Sequence, residues 1–309
     1  ADGEYVVGIW DHLKNGGETY TYRIEITPAS PDVVAEPIEF ARYVQSNIEV
    51  PQGSGTGIVA NVTRKDFGGP VEFVCENLPE GVRIECPDGW RAGGQMPVVF
   101  YAADDAPVAG RYSRIVTRVA DPNQPNLAVA GPLQQKMLMI RANNNDRVWE
   151  ETITRIPVVV TDRAPFKCWI ETPAVPIVQA GSMNLVVKCE KQEGWDEDIA
   201  VRFLQNPSGV NSSTSSKIHK GQTETVINVN AAGNAAVAES MIAVRCIAKV
   251  GNGNIETCTP FVPLRVEERY VDFKFAQGAV NQGNETPYVV TVEKKKDFEG
   301  EAVVNLVGL

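Results

Sequence analysis

The chain has 309 residues, 43% hydrophobic, 22% charged and 7% aromatic, which suits roughly two to four small folded domains and excludes a disordered polypeptide. Lys and Arg number 29 against 39 Asp and Glu, a formal charge of −10, so the concentrated positive field that nucleic acid requires is missing. No stretch approaches the roughly 18 apolar residues of a membrane span, and no basic-then-apolar leader follows Ala1, so any export signal is expected outside this chain.

Strand signals run from the first residues onward. In residues 1–30 the alternating run Tyr20-Thr-Tyr-Arg-Ile-Glu-Ile26 follows a Gly16-Gly17 turn and reads as one arm of a hairpin. Residues 31–163 hold a first strand at Ile38-Glu-Phe-Ala-Arg42, a turn at Val50-Pro-Gln-Gly53 and a second strand at Ile58-Val-Ala-Asn-Val62. Phe67, Val71-Glu-Phe-Val74, a Pro79-Glu-Gly81 turn and late strands at 114–119 and 154–160 follow. Residues 164–268 repeat the order: Phe166-Lys-Cys-Trp-Ile170, Val178-Gln-Ala-Gly181, Leu185-Val-Val-Lys-Cys189, Trp195 and Ala200-Val-Arg-Phe-Leu204, then Pro207-Ser-Gly209 and strands at 242–250 and 261–266. Residues 269–309 begin a further copy with Val271-Asp-Phe-Lys-Phe275, Val280-Asn-Gln-Gly283, Val290-Thr-Val292, Phe298 and Ala302-Val-Val-Asn-Leu306. The best helix candidate, residues 230–240, is small-residue filler containing Gly233 and reads as a loop or one short turn.

The offset is 103 residues both from Val187 to Val290 and from Trp195 to Phe298, and 128 from Gly81 to Gly209. Periods of that size are too long for a solenoid and fit whole sandwiches of about seven strands. The fold expected is therefore all-β, with tandem immunoglobulin-like β-sandwiches over 31–163 and 164–268 and a partial sandwich at each end, 1–30 and 269–309. Phe67, Trp195 and Phe298 are expected at equivalent buried positions entering the third strand, where a large ring fills the space between facing sheets.

The motif Asp2-Gly-Glu-Tyr-Val-Val-Gly-Ile-Trp-Asp11, Gly16-Gly17 and Tyr20-Thr-Tyr-Arg-Ile-Glu-Ile26 resembles the last hairpin of the bacterial pre-peptidase C-terminal domain. The sandwiches after it resemble the immunoglobulin-like domains of very large exported proteins of planctomycete-type bacteria. The resemblance implies export and a modular cell-surface or envelope protein, and it brings no catalytic residue with it.

Six cysteines, Cys75, Cys86, Cys168, Cys189, Cys246 and Cys258, contain no C-x-x-C pair, and His12 and His219 lie far from them, which argues against zinc and for disulfides in an oxidising compartment. Cys75 and Cys86 are expected to bridge across the Pro79-Glu-Gly81 turn. Cys189 and Cys246 alternate inward on the second and sixth strands, where immunoglobulin domains place their intersheet bridge, leaving Cys168 to Cys258. A rival pairing joins Cys168 to Cys189 and Cys246 to Cys258, and buried free thiols are the remaining alternative.

No other motif points to chemistry. Gly53-Ser-Gly-Thr-Gly57 has a strand after it instead of the helix that phosphate loops need. Asp104-Asp105 and Asp196-Glu-Asp198 offer a weak Ca²⁺ possibility without EF-hand spacing, and read as turn charge. No nucleophile has a base, so no catalytic, cofactor or metal residue is assigned. The function expected is a non-catalytic spacer or adhesive array whose partners are neighbouring domains or head-to-tail copies that extend into a filament. The alternative is a module binding surface glycans or proteins for a hydrolase or protease, for which solvent-facing Trp90, Trp149 and Trp169 would be the signature.

Overall fold

The computed structural model describes residues 3–26, 30–38, 47–87 and 94–298, in two compact units, Ala1–Ser30 and Pro31–Leu309. Residues 3–26 of the first unit contain no strand. Their order is local: the Asp11 carboxylate accepts hydrogen bonds from the Leu13 and Asn15 amides at 3.0 Å, and Tyr20 N donates to Gly17 O. The hairpin expected here is thus not formed among the described residues. Tyr20, Tyr22, Ile24 and Ile26 alternate but are all exposed, and a two-stranded ribbon with no facing sheet is marginal in water.

The second unit is all-β. Its first sandwich is built from β1 (Asp32–Pro37), β2 (Ile48–Pro51), β3 (Gly55–Lys65), β4 (Val71–Cys75), β5 (Val82–Glu85), β6 (Gln95–Ala102), β7 (Gly110–Ser113), β8 (Ile115–Val119), β9 (Ala130–Pro132), β10 (Gln135–Arg141), β11 (Arg147–Ile153) and β12 (Ile156–Thr161). Antiparallel β1, β3, β6 and β5 form one wall, and the small sheets β2-β12-β7 and β4-β8-β9 form the other. Ile58, Ala60, Val98, Phe100, Val71, Phe73, Ile156 and Val158 meet in one core between them. The first described strand is Asp32–Pro37, whose Val33 and Ala35 alternate into that core; of the strand expected at Ile38–Arg42, residues 39–42 lie outside the described residues. The β10–β11 hairpin has no counterpart in the repeat.

The next sandwich comprises β13 (Phe166–Ile170), β14 (Ile177–Val178), β15 (Ser182–Lys191), β16 (Ile199–Phe203), β17 (Val210–Ser212), β18 (Lys217–Ile218), β19 (Glu224–Ala231), β20 (Glu239–Ile242), β21 (Val244–Val250), β22 (Gly253–Cys258) and β23 (Val262–Glu267). Sheet β13-β15-β19-β17 faces β18-β16-β21-β22, with β14-β23-β20 alongside. Strict alternation decides the faces: Phe166, Cys168 and Ile170 point inward while Lys167 and Trp169 point out. The segment at 230–240 is the end of β19, a turn and the start of β20. Beyond it, β24 (Val271–Phe275) pairs antiparallel with β25 (Val290–Lys294), and Tyr270 beside this hairpin donates to Glu267 at the end of β23 at 2.7 Å. Residues 302–306, where another strand was expected, lie outside the described residues.

The internal repeat extends to turn geometry. In both sandwiches the Val-x-x-Gly segment precedes the second strand, and its leading Val pairs parallel with the last strand, Val50 opposite Val160 and Val178 opposite Glu267. Gly81 and Gly209 both have φ of +75°, and each turn closes with an amide–carbonyl bond, Val82 N to Pro79 O and Val210 N to Pro207 O. A Cβ on Gly81 would stand 2.8 Å from Ala106, and one on Gly209 would stand 2.7 Å from Ala235. The carbonyls of those two buried alanines each accept a glutamine side chain, Gln52 and Gln179, both at 2.7 Å. Glycine is required twice over, for the left-handed backbone and for the close approach.

Candidate functional site

The feature that organises the second unit is the junction between its two sandwiches. The first half of β3 and nearly all of β6 are buried on both faces. Ile58, Ala60, Val98 and Phe100 enter their own core, while Val59, Val99 and Tyr101 turn outward against Leu204, Ala243 and Cys258 of the next sandwich. At the strand ends Gly55 pairs antiparallel with Cys258, so β22 continues the sheet of β3 along the stretch of edge that β1 leaves uncovered.

The two glycines at this edge admit the neighbour. A Cβ on Gly55 would lie 2.6 Å from the Tyr101 ring and 2.9 Å from the Cys258 carbonyl oxygen. One on Gly57 would lie 2.8 Å from Leu204 and 3.0 Å from the Cys258 sulfur. The polar groups enclosed here are satisfied. Tyr101 Oη donates to Thr259 O at 2.8 Å across the junction, and Thr259 Oγ1 accepts from Val244 N at 3.0 Å and donates to Pro260 O. Burial raises the Tyr101 pKa well above the ordinary phenol range, so the hydroxyl stays a donor. The Arg83 guanidinium covers the Tyr101 ring at 4.5 Å, and Gln205 bonds Gln95 at 3.2 Å on the rim. The linker is held as well, since Arg163 donates to the Asp104 carboxylate at 2.8 Å and to its carbonyl at 2.7 Å. The glycines of Gly53-Ser-Gly-Thr-Gly57, which as a motif point to no chemistry, serve this surface. The unbroken run Met96-Pro-Val-Val-Phe-Tyr-Ala102 was the available signal, because a strand buried on one face alternates and one buried on both does not.

The three aromatics expected as buried equivalents are half-buried. Phe67 packs on the margin of the first core, Trp195 on that of the second, stacked on Phe166 with centroids 5.4 Å apart, and Phe298 stacks on Tyr270 at 5.9 Å. Trp149 and Trp169 are exposed, at 54% and 41%, on a hairpin of one sandwich and on β13 of the next; Trp90 lies outside the described residues.

Cys75, Cys168, Cys189, Cys246 and Cys258 are free thiols, so none of the expected bridges, Cys75–Cys86 included, is present. Cys75 lies against Ser113 and the Asn77 backbone, and Cys86 packs on the same core. Cys246 stands opposite Thr257 and faces the second core, whereas Cys258, one residue on, faces the junction. The two-residue period of the strand therefore closes both the Cys168–Cys258 and the Cys246–Cys258 pairings.

The acidic turn is occupied by protein groups. Asp196 takes Lys191 Nζ at 2.5 Å and the Gly221 amide at 2.8 Å, Asp198 takes the Lys220 amide at 3.0 Å and faces His219, and Glu197 pairs with Lys220 at 3.0 Å. Lys191 and the Gly221 amide hold the Asp196 pKa below the usual carboxylate range, and the Lys220 amide and His219 do the same for Asp198. Among the described residues no group of three or more His, Cys, Asp or Glu is placed to hold a metal ion, and no helix is long and apolar enough to cross a membrane.

No family model matches the chain, and no curated protein does. Solved structures do. Domains 4 and 5 of the S-layer protein SbsC match at 19% identity and a TM-score of 0.22, covering 38% of this chain and 62% of that one. Domains 4–9 of the same surface layer protein match at 12% and 0.26, covering 76% and 32%. The fibronectin(III)-like modules of Clostridium thermocellum CbhA match at 10% and 0.22, covering 72% and 90%. The all-β fold rests on the strand pairing itself, and the chain spans less than two thirds of the S-layer structures it matches.

Proposed function

We propose that this chain is a non-catalytic, semi-rigid segment of tandem β-sandwiches that spaces or displays other parts of a large exported bacterial surface protein. The observation that supports this most is the junction. A flexible linker between independent modules would not need a third apolar core, two glycines at the strand edge and a buried tyrosine hydrogen bond. The module boundaries near 163 and 268 belong to the same reading, as does the assignment of the chain to a cell surface. The β24–β25 hairpin exposes Phe273, Phe275 and Val292, and we take neighbouring modules or head-to-tail copies as their cover, the arrangement that extends into a filament. Binding of glycans or proteins for a catalytic partner is the second reading, favoured only by the exposure of Trp149 and Trp169.

Small-angle scattering tests the rigidity. The wild-type profile should fit one fixed arrangement of the two sandwiches, and Leu204→Asp, which buries a charge in the junction, should demand an ensemble. A wild type that already needs an ensemble would overturn the spacer reading. Antibodies against the segment should label intact cells of the source organism; labelling only after lysis would remove the surface assignment.

A further inference from the structure

The second sandwich encloses three thiols in one core. Cys168 and Cys189 are direct cross-strand partners on β13 and β15, and Cys246 reaches them from β21 of the facing sheet. The Cys168 sulfur is within hydrogen-bond reach of both Cys189 and Cys246. Cys246 Sγ in turn donates to the Val244 carbonyl at 3.8 Å. Cys168 is the middle member of a thiol chain.

The backbone at this pair suits a bond. Gln192 N donates to Pro165 O and Glu171 N to Val186 O, which sets the hydrogen-bonded positions of the β13–β15 ladder at 165/192 and 171/186. Counting inward by twos, 168/189 falls on a non-hydrogen-bonded position, and Cys189 N accordingly points the other way, to Thr223 O at 2.7 Å. Such positions bring Cα atoms to about 4.5 Å with side chains close together, inside the roughly 4.4–6.8 Å that a disulfide spans.

We propose that Cys168 and Cys189 form a cross-strand disulfide when the protein folds under oxidising conditions, with Cys246 placed to attack Cys168 and exchange the bond across the sandwich. The co-reactant is a low-molecular-weight disulfide. The Cys168 thiolate attacks it and expels one thiolate; Cys189 then attacks Cys168 in the mixed disulfide and expels the second. One small disulfide becomes two thiols, which take up the two protons the cysteines lose. The three sulfurs are buried, and the Cys189 pKa is raised by the contact with Cys168 and by desolvation, so the folded, reduced protein resists this chemistry. The bond is made while the strands are still open. The inference concerns the thiols alone and does not depend on the scaffold role.

The test is refolding of the full chain from denaturant in a buffer of oxidised and reduced glutathione, followed by alkylation and non-reducing peptide mapping. The expected product has lost two hydrogen atoms in a bridge that contains Cys168, to Cys189 or, after exchange, to Cys246, with the third thiol alkylated. In Cys168→Ser, Cys189 and Cys246 should both be recovered as alkylated thiols. A Cys189–Cys246 bridge in either protein, or no Cys168 bridge in a wild type that refolds to its native circular dichroism, overturns the proposal. Cys246→Ser keeps it falsifiable if Cys168→Ser fails to fold, because the Cys168–Cys189 bridge should persist there.

Discussion

Gly55→Ala puts the junction under the most direct stress. The new methyl group would sit 2.9 Å from the Cys258 carbonyl oxygen and 2.6 Å from the Tyr101 ring. The ring is fixed by its hydrogen bond to Thr259, and the carbonyl belongs to backbone paired on β21, so neither yields freely. Overpacking of this kind costs about 1–3 kcal/mol, which at about 1.4 kcal/mol per factor of ten raises the open population of the junction roughly 5- to 150-fold. Cys258 supplies the readout: it is buried in the junction, and burial pushes its thiol pKa above the normal range, so it reacts only on opening. Timed alkylation with peptide mapping should show Cys258 labelled faster by that factor in Gly55→Ala. Cys168, inside the second core, should keep its wild-type rate, and Gly253→Ala, with nothing near its added methyl, should change neither. Equal acceleration at Cys168 would mean that the whole sandwich unfolds, and an unchanged Cys258 would mean that the junction does not enclose it; either result refutes the argument.

Trp195→Ala should destabilise the second sandwich by about 2 kcal/mol in urea unfolding, below the usual range for a core tryptophan because the ring is only half-buried and loses mainly its stack on Phe166. The Asp196 and Asp198 pKa values are depressed in the folded state, so the clamp they make on residues 219–221 is fully present above the unfolded carboxylate pKa of about 3.9 and is lost as pH falls through the lower folded values. The Lys220 and Gly221 amide resonances should titrate with midpoints below about 3.9, and midpoints at or above it would dismiss the clamp. Tyr101→Phe should cost roughly 1–3 kcal/mol by leaving the Thr259 carbonyl without its phenolic donor, measured as faster Cys258 alkylation.

Local pattern made the sandwiches legible. The alternation of Phe166, Cys168 and Ile170 and the Pro-x-Gly-Val turns at Gly81 and Gly209 are short-range signals, and the strands and turns lie where those residues put them. Pairing between distant segments was not legible. Nothing near Cys258 says that it faces Gly57 while Cys246 faces Cys168, because that depends on which sheet each strand joins and on its register. The alternating run ending at Ile26 shows the opposite failure: period-two hydrophobicity without a facing surface, and no strand among the described residues. The β10–β11 hairpin, with exposed Met139, Ile140 and Trp149, is not legible in the sequence because the repeat has no such insertion and neither arm alternates cleanly.

The parallel pairing of β2 with β12 and of β14 with β23 has a mechanical consequence. In each sandwich one partner lies near the entry of the chain and the other at its exit, and both run the same way. Tension along the polypeptide drags the two strands in opposite directions along their own axes, so their evenly spaced bonds strain together instead of peeling one after another. The force needed to rupture such a pair is set by the unfolding barrier and not by equilibrium stability. Single-molecule stretching should record one abrupt rupture per sandwich; gradual extension would show that these short ladders do not bear the strain.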